Sequence, residues 1–389
     1  MNSFIYDVGT KIYFGKNATD NISTELKKYG KKVLLCYGGG SIKKMGLYDK
    51  VISEIKKAGC EVFELSGIEP NPRVDSVREG AKICKEQNID VLLAVGGGST
   101  LDCTKWIAAA AKVDHDAWDF FSDWADVNEA LPVLTVLTLS ATGSEMNCGG
   151  VISNPETNDK IGRLAKPLLP KASFLDPTLT YSVSAYQTAC GCADIISHIL
   201  EVYFAPNKDM YMLDRFMEGL LKTVIKFAPI AIEKPDDYEA RANLMWASSW
   251  AINTFVTGGK THEWSCHPLE HELSAIYDIT HGLGLAILTP RFLEYCLSEN
   301  NVDKYVDFGV NVFDIDKNLP KMEIAKLSIE KLSDFLFNTL GLDDTLTKIG
   351  IDETNFEIMA QKACEYDCIN GFVKLSPKDV EKIFEMCLE

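Results

Sequence analysis

Residues 90–111 have the sequence DVLLAVGGGSTLDCTKWIAAAA. The aliphatic run at 90–95 predicts a buried strand, residues 96–99 form a glycine-rich turn, and a helix-forming stretch continues to Ala111. A strand, a tight turn and a helix in this order are typical of one unit of a parallel sheet covered by helices. This stretch therefore predicts an α/β fold for the first half of the chain.

The same order recurs on both sides of this stretch. Residues 32–37 predict a strand, which leads into a turn at 38–41 and a helix through residue 57. Residues 133–139 predict a third strand, which ends in the small, hydroxyl-rich segment 140–145. Because open α/β sheets bind ligands at the carboxyl ends of their strands, the three turns predict a ligand site.

Two of these turns contain three successive glycines followed by serine. Glycines allow backbone N–H groups to approach an anion closely, and the amino end of the following helix favours negative charge. Neither turn has the Gly-x-Gly-x-x-Gly pattern, and neither is a P-loop. A tight turn without a ligand explains either one alone, but the repetition favours a dinucleotide site.

The first turn bears on the choice of cofactor. An acidic side chain there would hold the adenosine ribose hydroxyls and repel a 2′-phosphate. The turn instead offers Gly38, Gly39 and Ser41, and Lys43 and Lys44 follow. We therefore predict NADPH (or NADP) as the cofactor, with NADH less favoured; the alternative is that both lysines are simply solvated.

The second half of the chain is predicted to be helical, because β-branched runs fade and amphipathic stretches appear at 323–340 and 377–388. Ser184, with Gln187 three residues later, predicts a capping box at the start of its first helix. We place the domain boundary just before this helix. The predicted domains are a dinucleotide-binding α/β domain at 1–180 and a helical metal-binding and substrate domain at 181–389.

Five of the six histidines lie between positions 198 and 281: His198, His262, His267, His271 and His281. Asp194 precedes His198 by four residues, so both side chains share one face of the predicted helix. Asp194, His198, His267 and His281 together supply one carboxylate and three imidazoles. That set suits Fe(II) or Zn(II), and we predict one divalent metal ion on these four side chains.

Other functions use similar residues. His267, Glu270 and His271 match the His-x-x-Glu-His pattern of a zinc protease, with Glu270 as general base, but a protease has no use for the glycine turns. A metal-dependent lyase or synthase of the dehydroquinate synthase type would require many cations near the ligands, and residues 194–281 contain few. A non-catalytic nucleotide sensor would bind NADPH without turnover.

Composition excludes several partners. The chain has 56 acidic and 39 basic residues and a formal charge of −17, which disfavours nucleic acid. No apolar run reaches the roughly 20 residues that a membrane helix requires. With no export signal, the 12 cysteines are predicted to be reduced, and the protein is predicted to be cytoplasmic.

Four motifs can be taken together: residues 96–99 with Asp102, Thr142 to Glu145, Asp194 with His198, and His267 with His281. Together they resemble the iron-containing alcohol dehydrogenase family. Segments such as 67–72 and 241–247 are similar to its NADPH-dependent butanol dehydrogenase and aldehyde reductase branch. The resemblance implies a Rossmann-like parallel-sheet domain followed by an all-α domain, the fold shared with dehydroquinate synthase, and it implies a homodimer.

The resemblance also assigns roles to particular residues. It implies that Gly97, Gly98 and Ser99 bind the pyrophosphate, that Asp102 lies near the nicotinamide as a catalytic-site residue, and that Thr138, Thr142 and Lys160 line the cofactor groove. The implied reaction is reversible reduction of a short-chain aldehyde such as butanal to a primary alcohol. His271 corresponds to a histidine near the reacting oxygen, and we predict that it relays the proton.

Overall fold

The computed structural model of the chain describes residues 2–207, 209–365 and 367–389. Two compact units are present. Residues 7–183 form one unit, and residues from Ser184 onward form the other together with the amino-terminal segment that ends at Tyr6. The predicted division into domains at residue 180 stays a prediction.

The first unit is built on a six-stranded, fully parallel sheet. Its strands are β1 (Lys11–Phe14), β2 (Lys32–Tyr37), β3 (Glu61–Leu65), β4 (Val91–Gly96), β5 (Val133–Leu137) and β8 (Ala172–Leu175). They lie side by side in the order β1-β8-β5-β4-β2-β3. The strands β6 (Gly149–Asn154) and β7 (Asp159–Leu164) form a separate antiparallel hairpin. The predicted parallel α/β fold is confirmed.

Helices cover both faces of the sheet. They are α1 (Ile22–Leu26), α2 (Ser41–Lys44), α3 (Leu47–Ala58), α4 (Val74–Gln87), α5 (Gly98–Ala110) and α6 (Asp119–Ser122). Successive side chains of a strand point to opposite faces. Val33 and Leu35 of β2 accordingly pack in the core that contains Val51 of α3, while Leu34 packs in the core that contains Ile107 of α5.

The helix predicted after the first glycine turn is interrupted. It was expected to run without a break through residue 57, but α2 ends at Lys44 and α3 begins at Leu47. Gly46 between them has φ 75°, a left-handed conformation that is not helical. The glycine therefore ends one helix and allows the chain to start the next in another direction.

The second unit is helical, as predicted. Its helices are α7 (Ala185–Tyr203), α8 (Tyr211–Glu233), α9 (Tyr238–Ala251), α10 (Thr254–Thr257), α11 (Cys266–Tyr277), α12 (His281–Cys296), α13 (Val302–Phe313), α14 (Lys321–Asp334), α15 (Phe356–Ala363) and α16 (Pro377–Met386). A two-residue hairpin, β9 (Ile369–Asn370) and β10 (Lys374–Leu375), lies between α15 and α16. Within the described residues, no helix combines the length and the apolar character needed to cross a membrane.

Helix α7 starts where the sequence predicts. The Ser184 hydroxyl accepts a hydrogen bond from the Gln187 backbone N–H at 3.2 Å, which is the serine half of the predicted capping box. This bond satisfies one of the free N–H groups at the helix start. Asp194 and His198 lie well inside α7, and because they are four residues apart they share one face of the helix.

Candidate metal centre

Three helices of the second unit supply the predicted metal ligands. Helix α7 carries Asp194 and His198, and both residues are buried. His267 follows the first residue of α11, and His281 is the first residue of α12. Residues that are 14 to 87 positions apart in the chain are therefore brought together by the packing of α7, α11 and α12.

One oxygen atom lies at the middle of this group. Asp194 Oδ1 is 3.5 Å from His198 Nδ1, 3.8 Å from His267 Nε2 and 3.6 Å from His281 Nε2. Asp194, His267 and His281 each offer a ligand atom within 4.8 Å of the others. His198 is not part of that group of three, but its ring is stacked on His267 with centroids 4.6 Å apart.

These separations fit a divalent ion. Four ligand atoms placed tetrahedrally at about 2.1 Å from a metal lie about 3.4 Å from one another. Among the described residues, Asp194 Oδ1, His198 Nδ1 and His267 Nε2 are buried and have no hydrogen-bond partner. Buried polar atoms are normally paired, and a cation would satisfy all three. The residues present therefore fit the implied metal.

Two buried carboxylates orient the histidine rings from behind. Glu201 hydrogen-bonds to His267 Nδ1, and Glu270 hydrogen-bonds to His281 Nδ1. Each bond leaves the Nε2 atom of the ring directed at Asp194, an arrangement that recurs around protein-bound metals. Neither role was predicted from the sequence. The available signal was spacing, because Glu201 is seven residues after Asp194 and Glu270 is three after His267.

Glu201 has a second task at the start of α11. Its carboxylate accepts hydrogen bonds from the backbone N–H groups of Ser265 at 2.5 Å, Cys266 at 2.8 Å and His267 at 3.0 Å. The first N–H groups of a helix have no partner within the helix, and negative charge is favourable there. A single side chain thus fixes both the start of α11 and the orientation of its histidine.

Charge and burial favour the protonation states of Asp194 and His198 that a metal ion needs. Burial raises the pKa of Asp194, but His198, His281 and His267 together outweigh burial and hold that pKa well below its usual range. Burial lowers the pKa of His198 to about 3, so this ring is neutral at pH 7. An ionised carboxylate and a neutral imidazole are the forms that bind metal ions.

His267 differs from His198. Burial lowers its pKa, but Glu201 and Asp194 more than compensate and raise the pKa of His267 to about 9. A metal ion on Nε2 would take the place of one of its two protons. The other proton, on Nδ1, would still be donated to Glu201.

Two glycines bring α12 close enough to complete the group. A Cβ atom at Gly282 would lie 2.0 Å from the Cys190 carbonyl oxygen of α7. A Cβ atom at Gly284 would lie 2.8 Å from Cγ of Glu270. Real atoms do not approach this closely, so α12 tolerates only glycine at these positions without moving. The close packing places His281 next to Asp194.

His271, the predicted proton relay, lies beside this group. Glu270, His271 and His281 offer ligand atoms within 4.8 Å of one another, and the His271 and His281 ring centroids are 5.8 Å apart. Glu270 is fully buried and is bonded to Ser274 as well as His281. Its carboxylate is therefore occupied by these two hydrogen bonds and orients His281. This argues against the protease hypothesis, because that hypothesis requires Glu270 as the general base.

The predicted cofactor residues lie in the first unit. Gly97 is the N-cap of α5 and Gly98 is its first residue, and a Cβ atom at Gly98 would lie 2.3 Å from Cγ2 of Thr142. The turn at 96–99 and the segment 140–145 are therefore in contact at Gly98. Thr138 donates its N–H to the Gly96 carbonyl at 3.0 Å, and Lys160 lies on β7 and is buried. Ser99 is the second residue of α5, and at the first turn Gly39 and Ser41 are exposed.

Asp102 and Lys105, three residues apart on α5, hold the segment 140–145 and the residues after it by hydrogen bonds. Asp102 accepts hydrogen bonds from Ser144 Oγ at 2.5 Å and from the Val151 N–H at 3.0 Å. The fully buried Lys105 ammonium donates to the Ser144 carbonyl at 2.9 Å and to the Asn147 carbonyl at 3.2 Å. The role of Lys105 was not predicted from the sequence, where its spacing of three from Asp102 was the available signal.

Comparison with known proteins agrees with this architecture. A family model described as iron-containing alcohol dehydrogenase matches residues 9–177, and one described as Fe-containing alcohol dehydrogenase family, C-terminal, matches residues 188–388. The chain is 52% identical over 387 residues to NADH-dependent butanol dehydrogenase B of Clostridium acetobutylicum, with 99% of each chain covered. It is 36% identical over 369 residues to the NADPH-dependent aldehyde reductase YqhD of Escherichia coli, with 94% of each covered.

The solved structures agree as well. The crystal structure of NADH-dependent butanol dehydrogenase A from Thermotoga maritima matches with a TM-score of 0.95 and 37% identity, covering 100% of this chain and 99% of that one. The fold and these relatives define an oxidoreductase that interconverts alcohols and aldehydes reversibly, and the lyase alternative is not favoured. The chain belongs to the iron-containing alcohol dehydrogenase family, which implies a divalent metal and a nicotinamide cofactor.

Proposed function

We propose that the protein reduces short-chain aldehydes such as butanal to primary alcohols, with Asp194, His198, His267 and His281 as ligands of one Fe(II) or Zn(II) ion. The observation that carries this proposal is the convergence of three imidazole nitrogens, 3.5 to 3.8 Å away, on the buried Asp194 Oδ1. A divalent ion bound there would supply Lewis-acid polarisation of the aldehyde oxygen, and a bound nicotinamide would supply the hydride.

The residues of the chain have defined tasks in this reaction. The four ligands hold the ion, and Glu201 and Glu270 keep two of the imidazoles in the orientation and tautomer that bind it. The glycine turns of the first unit bind the dinucleotide, with Gly97, Gly98 and Ser99 at the pyrophosphate. Asp102 shapes this site by holding Ser144 and Val151 in place.

The test is the initial rate of NADPH oxidation with butanal. Anaerobically purified protein is assayed as isolated, after chelation, and after Fe(II) or Zn(II) is restored. We expect activity to vanish with the chelator and to return with one of the two ions. A folded sample with metal bound and no turnover would contradict the proposed reaction.

We propose that NADPH is preferred over NADH, because Gly39 leaves the first turn without an acidic side chain. A Cβ atom at Gly39 meets no atom within 4 Å, so an aspartate fits there. Gly39→Asp is expected to lower kcat/KM for NADPH at least about tenfold, because the carboxylate repels a 2′-phosphate, and to affect NADH much less. Two relatives from Clostridium acetobutylicum, 52% and 49% identical, are named NADH-dependent, whereas the relative from Escherichia coli that is 36% identical is named NADPH-dependent. The proposed preference therefore rests on the first turn and not on these names.

The matched control for this experiment is Gly39→Asn, which has nearly the same size and no charge. It should preserve the ratio of kcat/KM for the two cofactors. If Gly39→Asp also preserves that ratio, the assignment of the first turn to the adenosine ribose is wrong.

We propose that His271 passes a proton to the oxygen of the reduced substrate. The support for this role is the position of His271 beside His281, one of the four proposed ligands, with ring centroids 5.8 Å apart. His271→Ala is expected to lower kcat about 10²- to 10⁴-fold, the usual contribution of a general acid, while the metal content stays the same. Metal analysis of the variant checks this, because loss of the ion would make His271 a ligand instead.

We also propose a cytoplasmic homodimer. Phe4, Ile5 and Tyr6 are 52%, 88% and 49% exposed, which leaves an apolar surface suited to a second copy. Twelve cysteines scattered through a chain of 389 residues are typical of reduced thiols in a reducing compartment. Light scattering is expected to give twice the chain mass of 43.1 kDa. A mass of one chain at micromolar concentration would contradict the dimer.

A further inference from the structure

Four side chains beside the first glycine turn form what we call the tyrosine cage: Tyr37, Lys43, Tyr48 and Glu64. The Lys43 ammonium lies 5.2 Å from the ring centroid of Tyr37 and 4.8 Å from that of Tyr48. The two rings meet edge to face, with centroids 5.8 Å apart. Both distances are within the range of a cation–π interaction, so two rings hold one ammonium.

Glu64 fixes the rings of the cage. Both phenol hydroxyls donate to its carboxylate, Tyr37 to Oε2 at 2.7 Å and Tyr48 to Oε1 at 2.7 Å. The hydrogen bond to Glu64 raises the pKa of Tyr48 to about 12, so this phenol keeps its proton at neutral pH. Two hydrogen bonds to one carboxylate give the rings a defined orientation, and the position of Lys43 follows from it.

The cage adjoins the turn that we assign to the adenosine ribose. Tyr37 is the last residue of β2 and directly precedes Gly38. Backbone hydrogen bonds from Gly67 to Gly38, at 2.9 Å, and from Ile68 to Tyr37, at 3.3 Å, hold this end of the strand. Cβ atoms at Gly39 and Gly40 would meet nothing within 4 Å, so the space beside the turn is open.

We propose that the tyrosine cage holds the Lys43 ammonium beside the first glycine turn as the cation that selects a 2′-phosphorylated adenosine. The inference rests on the proposed nicotinamide function and adds a specificity-determining residue to it. A lysine on the surface loses rotamer freedom when it binds an anion, and a lysine that is already ordered loses less. Lys43 remains exposed within the cage, so its charge stays accessible to a phosphate.

Lys44 provides a comparison within the chain. It carries the same charge and is also exposed, but no aromatic ring among the described residues holds its ammonium. If charge near the turn were sufficient, the two lysines would contribute alike. If the cage matters, Lys43 dominates.

The experiment compares two nucleotides that differ only by the 2′-phosphate: adenosine 2′,5′-bisphosphate and 5′-AMP. Their dissociation constants for the full-length protein are measured by calorimetry. Wild-type protein is expected to bind the bisphosphate at least about tenfold more tightly, since a charge-assisted contact is being gained. Lys43→Met is expected to remove most of that difference and to change 5′-AMP binding less than about twofold.

Further variants separate the cage from simple charge. Lys44→Met is expected to leave the ratio of the two dissociation constants within about twofold of wild type. Tyr48→Leu, which removes one ring from Lys43, is expected to give a ratio of the two dissociation constants between the ratios of wild type and Lys43→Met. Tyr48→Phe keeps the ring, so its ratio is expected to stay closer to that of wild type than the ratio of Tyr48→Leu does. Circular dichroism of each variant confirms that it is folded.

Each contrary result has a distinct meaning. Equal binding of both nucleotides by the wild type would overturn the role of Lys43. An equal loss of the preference for the bisphosphate in Lys43→Met and Lys44→Met would overturn it as well. A Tyr48→Leu variant that behaves as wild type would overturn the role of the cage. Binding of neither nucleotide, together with no turnover of butanal, would overturn the nicotinamide function itself.

Discussion

Replacing His281 with alanine is expected to release the metal ion and to lower kcat at least about a thousandfold, the rate equivalent of about 4 kcal/mol of lost Lewis-acid stabilisation. His281 Nε2 lies 3.6 Å from Asp194 Oδ1, and its other nitrogen is bonded to Glu270. The substitution removes one of the four proposed ligands and leaves the buried Glu270 without that partner. Metal content after dialysis and kcat with butanal are the measurements.

A matched control is His115→Ala. His115 is in the first unit, its side chain is 33% exposed, and it is the one histidine outside the segment 198–281. This variant should keep full metal content and activity. Stoichiometric metal in the His281→Ala protein, at wild-type affinity, would refute the proposed ligand set.

The second large effect is expected at Glu201, which does not itself contact the proposed ion. Glu201→Gln should weaken metal affinity about 10- to 100-fold, as found for groups that orient a ligand. The amide also puts N–H donors where the carboxylate accepts from Ser265 and Cys266. Leaving a buried donor unsatisfied costs about 1 to 3 kcal/mol, so the metal-free protein should also melt at a lower temperature.

Glu263→Gln is the matched control for this change. Glu263 is exposed, and its carboxylate accepts a hydrogen bond from the Asn370 N–H at 3.0 Å. Its substitution should alter neither the metal affinity nor the melting temperature measurably. A Glu201→Gln protein that binds metal as tightly as wild type would show that His267 does not need its carboxylate partner.

Much of the fold was predictable because its signals are local. The strand at 32–37, the turn after residue 95 and the helix start at Ser184 are each encoded by neighbouring residues. The break at Gly46 was missed because a glycine inside a helical pattern is often tolerated, and only its left-handed conformation ends α2.

The candidate site was only partly predictable. Asp194 and His198 share a helix, so their spacing alone indicates a common face. His267 and His281 come from two other helices, and nothing local specifies their distance from Asp194. That distance depends on Gly282, which allows α12 to approach the backbone of α7. The roles of Glu201 and Glu270 were also hidden, because carboxylates at helical spacing are usually solvated.

By itself, the sequence determined the alternating strands and helices of the first half, the helical second half and the inventory of possible metal ligands. These follow from periodicity, turn chemistry and residue type, which act over a few neighbouring positions. The tertiary structure alone decided which nitrogen atoms converge on Asp194, that Glu201 both orients His267 and caps its helix, and that Lys43 is held by two tyrosine rings. His267 is 73 positions from Asp194 and 66 from Glu201. Lys43 is near Tyr37 and Tyr48 in the chain, but the three residues lie on different elements, β2, α2 and α3. Only the packing of whole helices and strands sets such distances.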